Sequence, residues 1–226
     1  MGFWTDITKV VSDNWALHSN QSVQNLIDDG YSMKALMLAN KKVEKWPKNA
    51  DPWQDKGDVL YELERFRESI EAYKKAQKFA DDDLSILFSL MWAYHESEQF
   101  EEAINCAEEL IKKIPDLEKE AEEELGFAID DCLTVKGDCL SHLGKDSQAI
   151  KIFQELLEDD PEDPSLVDTC ADLLMDLKKY KEAAKLVDKL IEMDPESVEN
   201  FNYKSIIALR TGKFKESIKF AQKALK

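Results

Sequence analysis

Residues 50–83 read ADPWQDKGDVLYELERFRESIEAYKKAQKFADDD. Within this stretch an aromatic, a small, a second aromatic and a second small residue stand at fixed spacing, namely Trp53, Gly57, Phe66 and Ser69. The spacing returns in Phe201, Ser205, Phe214 and Ser217, and it returns again in Val167, Ala171, Tyr180 and Ala183. Since Pro161 and Pro195 also stand 34 residues apart, the chain contains an internal repeat of 34 residues.

Aligned at this period, the chain gives six repeats, the last one incomplete, with an insert after the third. The repeats are 16–49, 50–83, 84–117, 130–163, 164–197 and 198–226, and the insert is 118–129. Position 20 of the repeat is small in all six, position 21 is apolar in all six, and position 32 is proline in four. This pattern predicts two antiparallel helices per repeat, because small residues let helix backbones approach closely and proline ends the second helix.

These features resemble the tetratricopeptide repeat (TPR) family, whose pattern is W-x2-L-G-x2-Y…A-x3-F…A…P. The resemblance covers residues 16–226 apart from the insert, with departures at Met91 in position 8 and Asp146 in position 17. It implies an all-α fold, a right-handed superhelical solenoid of antiparallel helix pairs with thirteen or fourteen helices. It also implies a protein that holds a partner protein.

Two segments lie outside the repeats. Residues 1–15 carry apolar side chains at helical spacing and predict an N-terminal capping helix, or alternatively a docking helix for a partner. The insert is rich in glutamate, and we expect it to extend the first helix of the fourth repeat, with a solvated acidic turn as the alternative. The chain stops within the last second helix, which would leave Ile218 and Leu225 facing outward. Either the natural protein continues, or this end packs against something.

Composition narrows the class of partner. The chain has 47 Asp and Glu against 30 Lys and Arg, giving a formal net charge of −17. Such a surface repels nucleic acid and attracts basic proteins. No run approaches eighteen apolar residues and no signal peptide is visible, so we expect no membrane association. The four cysteines have neither C-x-x-C nor zinc-ligand spacing, which favours reduced core thiols and a cytoplasmic protein.

Motifs of catalysis are missing from the sequence. The three histidines, His18, His95 and His142, stand in different repeats with no evident Ser or Cys partner. There is no G-x-x-x-x-G-K-[ST] loop and no H-E-x-x-H helix, and the acidic runs at the repeat junctions lack the glycine and spacing of a calcium loop. We therefore expect no enzyme, no cofactor and no metal site.

The first helices carry the strongest charge pattern. In the family, positions 2, 5, 9 and 13 commonly meet the ligand. Of the 24 residues there, eleven are acidic and one, Arg210, is basic. The predicted partner-binding groove comprises Asp51, Asp55, Asp58, Glu62, Phe88, Trp92, Glu96, Asp131, Asp138, Asp168, Asp172, Asp176 and Glu199.

This groove predicts a scaffold that binds a basic or basic–aromatic segment of a partner, with Phe88 and Trp92 as anchors. The acidic surface could instead serve solubility alone, and the two rings could be covered by the insert or a neighbouring helix. The carboxylate clamp that grips acidic chaperone tails in this family is missing. Two alternative functions remain: a self-assembling subunit that stacks through open solenoid ends, with the C-terminal end forming a homo-oligomer, or a regulatory module of a longer protein.

Overall fold

The computed structural model describes residues 22–114 and 129–225, and every regular element within them is a helix. The predicted capping helix and nearly all of the insert lie outside these residues. The chain divides into two compact units, Met1–Phe127 and Ala128–Lys226. We refer to them as the N-terminal and C-terminal units.

The N-terminal unit holds the first three repeats, with two helices in each. Its helices are α1 Val23–Asp28, α2 Ser32–Lys45, α3 Ala50–Glu62, α4 Phe66–Gln77, α5 Leu84–Glu96 and α6 Phe100–Lys113. Each helix packs against the next one in sequence, and the first helices also touch one another, α1 against α3 and α3 against α5. The first helices of this unit therefore share one surface.

The C-terminal unit repeats the arrangement. Its helices are α7 Ile129–His142, α8 Asp146–Asp159, α9 Pro164–Asp176, α10 Tyr180–Met193, α11 Val198–Arg210 and α12 Phe214–Ala224. Within every repeat a turn of three residues joins the two helices, and so short a turn forces them antiparallel. The predicted all-α solenoid of helix pairs is confirmed.

Each of these six turns places its middle residue in the left-handed region of backbone space. The residues are Gly30, Glu64, Glu98, Gly144, Lys178 and Gly212, with φ between 57° and 77°. The geometry is a Schellman motif, as in α3, where Glu64 N–H donates to the carbonyl of Tyr61 and Arg65 N–H donates to that of Leu60, both at 2.8 Å. Three repeats thus end their first helix on a non-glycine residue in a conformation that costs about 1–2 kcal/mol.

The effect of a substitution at the middle residue of the turn on stability should depend on whether that residue is glycine. Gly144→Ala should lower the free energy of unfolding by about 1 kcal/mol, although a Cβ there meets no atom within 4 Å, because only the backbone conformation is strained. Lys178→Gly should leave stability unchanged or raise it. Lys185→Gly, inside α10 and exposed, is the control and should lose about 1 kcal/mol. Urea titrations of the three variants test this, and equal losses at 178 and 185 would contradict it.

The small residues of the repeat stand where helices approach closely, as predicted. A Cβ added to Gly57 would lie 2.3 Å from the Tyr73 ring, and one added to Gly137 would lie 2.7 Å from the Phe153 ring. Ala103 and Ala183, at position 20, have no exposed surface. Ser69, at the same position, donates its hydroxyl to the Gly57 carbonyl at 2.8 Å. Helix spacing in this core is therefore set by positions 8 and 20.

Candidate functional site

A concave pocket of 540 Å³ opens on the surface that the first helices of the N-terminal unit share. Among the described residues it is lined by Gln24 and Ile27 of α1, Asp58, Tyr61 and Glu62 of α3, Tyr73 of α4, and Phe88, Ser89 and Trp92 of α5. These side chains recur at intervals of three and four residues on each first helix, so one helix face supplies them. We call this site the aromatic–acidic pocket.

Asp58 is the most enclosed carboxylate of the aromatic–acidic pocket. Tyr73 donates its hydroxyl to Asp58 Oδ1 at 2.7 Å, and the Tyr73 ring lies against Gly57, which leaves room for it. Burial raises the pKa of Asp58 to about 6, the Tyr73 hydrogen bond works against the rise, and the nearby charge of Asp55 adds to it. Glu62, one helical turn further on, is exposed.

Phe88 and Trp92 form the aromatic wall of the pocket. Both rings are half-buried, and they meet edge to face with centroids 6.3 Å apart. The rings of Trp92 and His95 also meet edge to face, with centroids 5.9 Å apart. The pocket thus combines two carboxylates with large aromatic side chains.

The other predicted residues of the N-terminal unit lie away from this pocket. Asp55 accepts a bond from Lys42 Nζ of α2 at 2.6 Å, so its charge is neutralised within the protein. Asp51 is exposed and lines a separate, smaller depression together with Lys42 and Asp55. Glu96, also exposed, lies 3.1 Å from Nδ1 of His95. The aromatic–acidic pocket therefore gathers four of the seven predicted residues in this unit.

The C-terminal unit carries an acidic face formed by Asp168, Asp172 and Asp176 of α9 with Glu199 of α11. Tyr203 of α11 lies beside Asp168 and Asp172, and burial together with the charges of these carboxylates raises the pKa of its hydroxyl. Burial raises the pKa of Asp168 and of Asp172, and the neighbouring carboxylates of this face raise both further. Ionising Asp168 and Asp172 is therefore less favourable on this face than it is for an isolated carboxyl group.

Asp131 and Asp138 of α7 are the remaining predicted residues. Asp131 is exposed and Asp138 is half-buried. Neither is among the groups that shift the pKa values of the acidic face.

Sequence reasoning missed the tyrosines of both surfaces. Tyr61 and Tyr73 line the aromatic–acidic pocket, and Tyr203 lies beside the acidic face. Tyr73 comes from a second helix, which the groove positions of the family do not include. The sequence does hold a signal for Tyr73, because position 24 is large in the repeats where position 8 is glycine. The pairs are Gly57 with Tyr73 and Gly137 with Phe153.

The described residues offer little to a catalytic reading. Three of the four cysteines are buried, and burial raises the pKa of Cys106 and Cys132 to about 12 and that of Cys170 to about 11, so these thiols stay protonated. Within residues 22–114 and 129–225 no group of three His, Cys, Asp or Glu could hold a metal ion. None of the helices described is long and apolar enough to cross a membrane.

Comparison with known proteins agrees with the repeat geometry. Two models of the tetratricopeptide repeat match the sequence, at residues 50–83 and 143–209. No curated protein sequence matches the chain significantly.

Solved structures share the fold at low sequence identity. YrrB, described as a TPR protein with an unusual peptide-binding site, is 16% identical with a TM-score of 0.63, over 83% of this chain and 90% of YrrB. PilF of Pseudomonas aeruginosa is 18% identical with a TM-score of 0.64, over 96% and 89%. A tetratricopeptide repeat protein of Parabacteroides merdae is 17% identical with a TM-score of 0.68, over 90% and 76%. Residues 50–83 and 143–209 thus match tetratricopeptide repeats, and the helix-pair fold is the one found in solved tetratricopeptide repeat structures.

Proposed function

We propose that the chain is a non-enzymatic scaffold that binds a basic or basic–aromatic segment of a partner protein on the acidic surfaces of its first helices. The observation that carries the proposal is the acidic face of the C-terminal unit. There burial raises the pKa of Asp168 and of Asp172, and neighbouring carboxylates raise both further, so keeping these two groups ionised costs folding free energy. A bound cationic segment offsets the repulsion between these carboxylates, and this relief adds to the binding free energy.

The chemistry of both surfaces supports a peptide over a small metabolite. Carboxylates recur along the first helices at helical spacing, so an extended chain with several cationic side chains matches them better than a single compact ligand. YrrB, with the same fold, is described as having a peptide-binding site, and the proposal extends peptide binding to this chain.

Replacing Asp168, Asp172 and Asp176 together by Asn should weaken binding of Lys/Arg-rich peptides about tenfold at low salt, mainly by slowing association. Asparagine keeps the size and shape of each side chain while three charges are removed. Raising salt to physiological ionic strength should shrink the difference, because charges are screened beyond about 8 Å. Stopped-flow and equilibrium fluorescence with labelled peptides measure both quantities.

The matched control removes three charges from second helices of the same unit. Glu155, Glu158 and Glu192 are exposed on α8 and α10, and their joint replacement by Gln changes the net charge equally. If both triple variants bind the peptides alike, net charge alone attracts them and the acidic face is a solvated surface.

Self-assembly is the second candidate function, and the apolar face of α12 favours it. Ile218 is 61% exposed, whereas Ile70 and Ile150 at the same position of other repeats are 3% and 4% exposed. Phe214 and Leu225 are exposed beside it. Sedimentation velocity over a range of concentrations, with Ile218→Glu as the comparison, separates the candidates: a concentration-dependent oligomer that this variant abolishes supports self-assembly.

A further inference from the structure

The aromatic–acidic pocket has a charge balance that its surroundings do not neutralise. Asp58 and Glu62 contribute two carboxylates from one turn of α3, and no lysine or arginine is among its described lining residues. Cationic side chains of the adjoining helices lie against other groups: Lys42 pairs with Asp55, Lys74 lies over the Tyr94 ring, and Lys75 lies over the Trp53 ring. A positive group that enters the pocket therefore finds carboxylates that these lysines do not occupy.

The hydrogen bond that Asp58 already accepts determines which donors a positive group needs in order to bind here. Oδ1 accepts the Tyr73 hydroxyl, so an incoming donor has Oδ2 of Asp58 and the carboxylate of Glu62 as acceptors. These acceptors are four residues apart on one helix face and lie side by side. A donor that reaches both must carry several N–H groups spread in a plane.

The aromatic wall adds a second requirement. Phe88, Trp92 and Tyr61 line the pocket together with the two carboxylates, and of these rings Trp92 offers the strongest attraction for a cation. Guanidinium is planar, weakly hydrated and stacks on rings, whereas ammonium is a compact, strongly hydrated point charge. The volume of 540 Å³ is large enough to receive one side chain.

We infer that the aromatic–acidic pocket binds the guanidinium group of an arginine side chain, which donates to Asp58 and Glu62 and stacks on the ring of Trp92. The inference rests on the proposed function and names the residue of the partner segment that the N-terminal unit holds. It divides the work between the two units: the acidic face of the C-terminal unit attracts positive charge of any kind, and this pocket selects arginine.

Protonation of Asp58 should oppose arginine binding. The polar and charged groups beside Asp58 are Tyr73 of α4, Asp55 and Glu62 of α3, and Gln24 of α1 and Ser89 of α5, which line the same pocket. Lys42 neutralises Asp55, and Tyr73 keeps its proton because burial and Asp58 raise its pKa. The pKa of Asp58, about 6, places the loss of affinity between pH 7 and pH 5.

The test uses the whole chain and three N-acetylated amino-acid amides: arginine, lysine, and citrulline, which has the shape of arginine without its charge. Binding is followed by NMR from backbone amides of α1, α3 and α5 and from the Trp92 indole. We expect arginine amide to bind several-fold more tightly than lysine amide and citrulline amide to leave these signals unmoved. Lowering the pH from 7.5 to 5.5 should weaken arginine binding several-fold.

Two double variants locate the effect. Asp58→Asn with Glu62→Gln should weaken arginine amide binding at least tenfold. Asp172→Asn with Asp176→Asn removes the same two charges at the same spacing in the C-terminal unit and should leave the α1, α3 and α5 signals unchanged. Equal binding of citrulline and arginine, lysine binding as tightly as arginine, or insensitivity to the Asp58 and Glu62 changes would each overturn the inference. The proposed function survives any of these results if the triple Asn variant of the acidic face still weakens peptide binding.

Discussion

Gly57→Ala is expected to lower the free energy of unfolding of the N-terminal unit by about 3 kcal/mol, the high end for an overpacked core. The added Cβ would lie 2.3 Å from a ring carbon of Tyr73, and that ring cannot move away freely. Tyr73 is 2% exposed, and its hydroxyl is bonded to Asp58. Urea unfolding followed by circular dichroism measures the loss. Gly212→Ala, where φ is 77° and a Cβ meets nothing within 4 Å, shows the cost of backbone strain without a clash. Gly57 is helical and free of that strain, so a larger loss at position 57 reports the clash.

A double-mutant cycle with Tyr73→Leu separates the clash from other effects of the substitution. Leucine removes the ring atoms that the new methyl group meets, so Gly57→Ala should cost less in the Tyr73→Leu background than in the wild type. Additive losses would mean that the ring is not what restricts position 57. Ligand binding at the aromatic–acidic pocket provides a second readout, because a displaced Tyr73 no longer donates to Asp58 Oδ1.

The repeat period makes most of the fold predictable from the sequence. It does not predict how the sizes of the residues at positions 8 and 24 compensate each other. Met91 breaks the small-residue pattern at position 8, yet it is fully buried. The same repeat has Ala107 at position 24, where the second repeat has Tyr73 opposite Gly57. Volume is conserved by exchanging the large and the small partner between helices. Met91 departs from the pattern when position 8 is considered alone, whereas the small Ala107 at position 24 explains it.

The residues of the candidate site were predictable only where the position in the repeat determines the helix face on which a side chain lies. Asp58, Glu62, Phe88 and Trp92 were grouped from sequence because equivalent faces of successive first helices stack side by side, and the structure brings these four together. The fate of Asp55 depends on Lys42, thirteen residues earlier on a second helix, and no periodicity reports such a pair. The same holds for Tyr73, whose importance comes from a hydrogen bond across the helix pair.

Asp58→Asn is expected to stabilise the N-terminal unit by about 2 kcal/mol at pH 8. Burial raises the pKa of Asp58 from 3.8 to about 6, so keeping the carboxylate ionised in the folded state costs roughly 3 kcal/mol at 1.36 kcal/mol per unit. Asparagine removes that cost and still accepts the Tyr73 hydroxyl, although this bond is weaker without the charge.

The pH dependence of this gain has a definite sign. Above about pH 6 Asp58 is ionised in both the folded and the unfolded state, and the full cost is present. Between pH 6 and 3.8 the folded state binds the proton first, so the wild type recovers stability as the pH falls and the advantage of asparagine shrinks. Urea titrations of both proteins at pH 8 and pH 4.5 should show a smaller difference at the lower pH. Glu62→Gln, an exposed change in the same pocket, should shift stability by less than about 0.5 kcal/mol at either pH.

The outcome decides what Asp58 is for. A carboxylate that costs stability and can be replaced with a gain is typical of a binding site, where selection retains a group for its ligand and the fold bears the loss. In that case Asp58→Asn is the more stable protein and the weaker arginine binder. If Asp58→Asn instead loses stability at pH 8, the Tyr73 hydrogen bond outweighs the desolvation of the charge. Asp58 is then a structural anchor of the α3–α4 pair, and Glu62 alone would remain as the anionic group of the pocket.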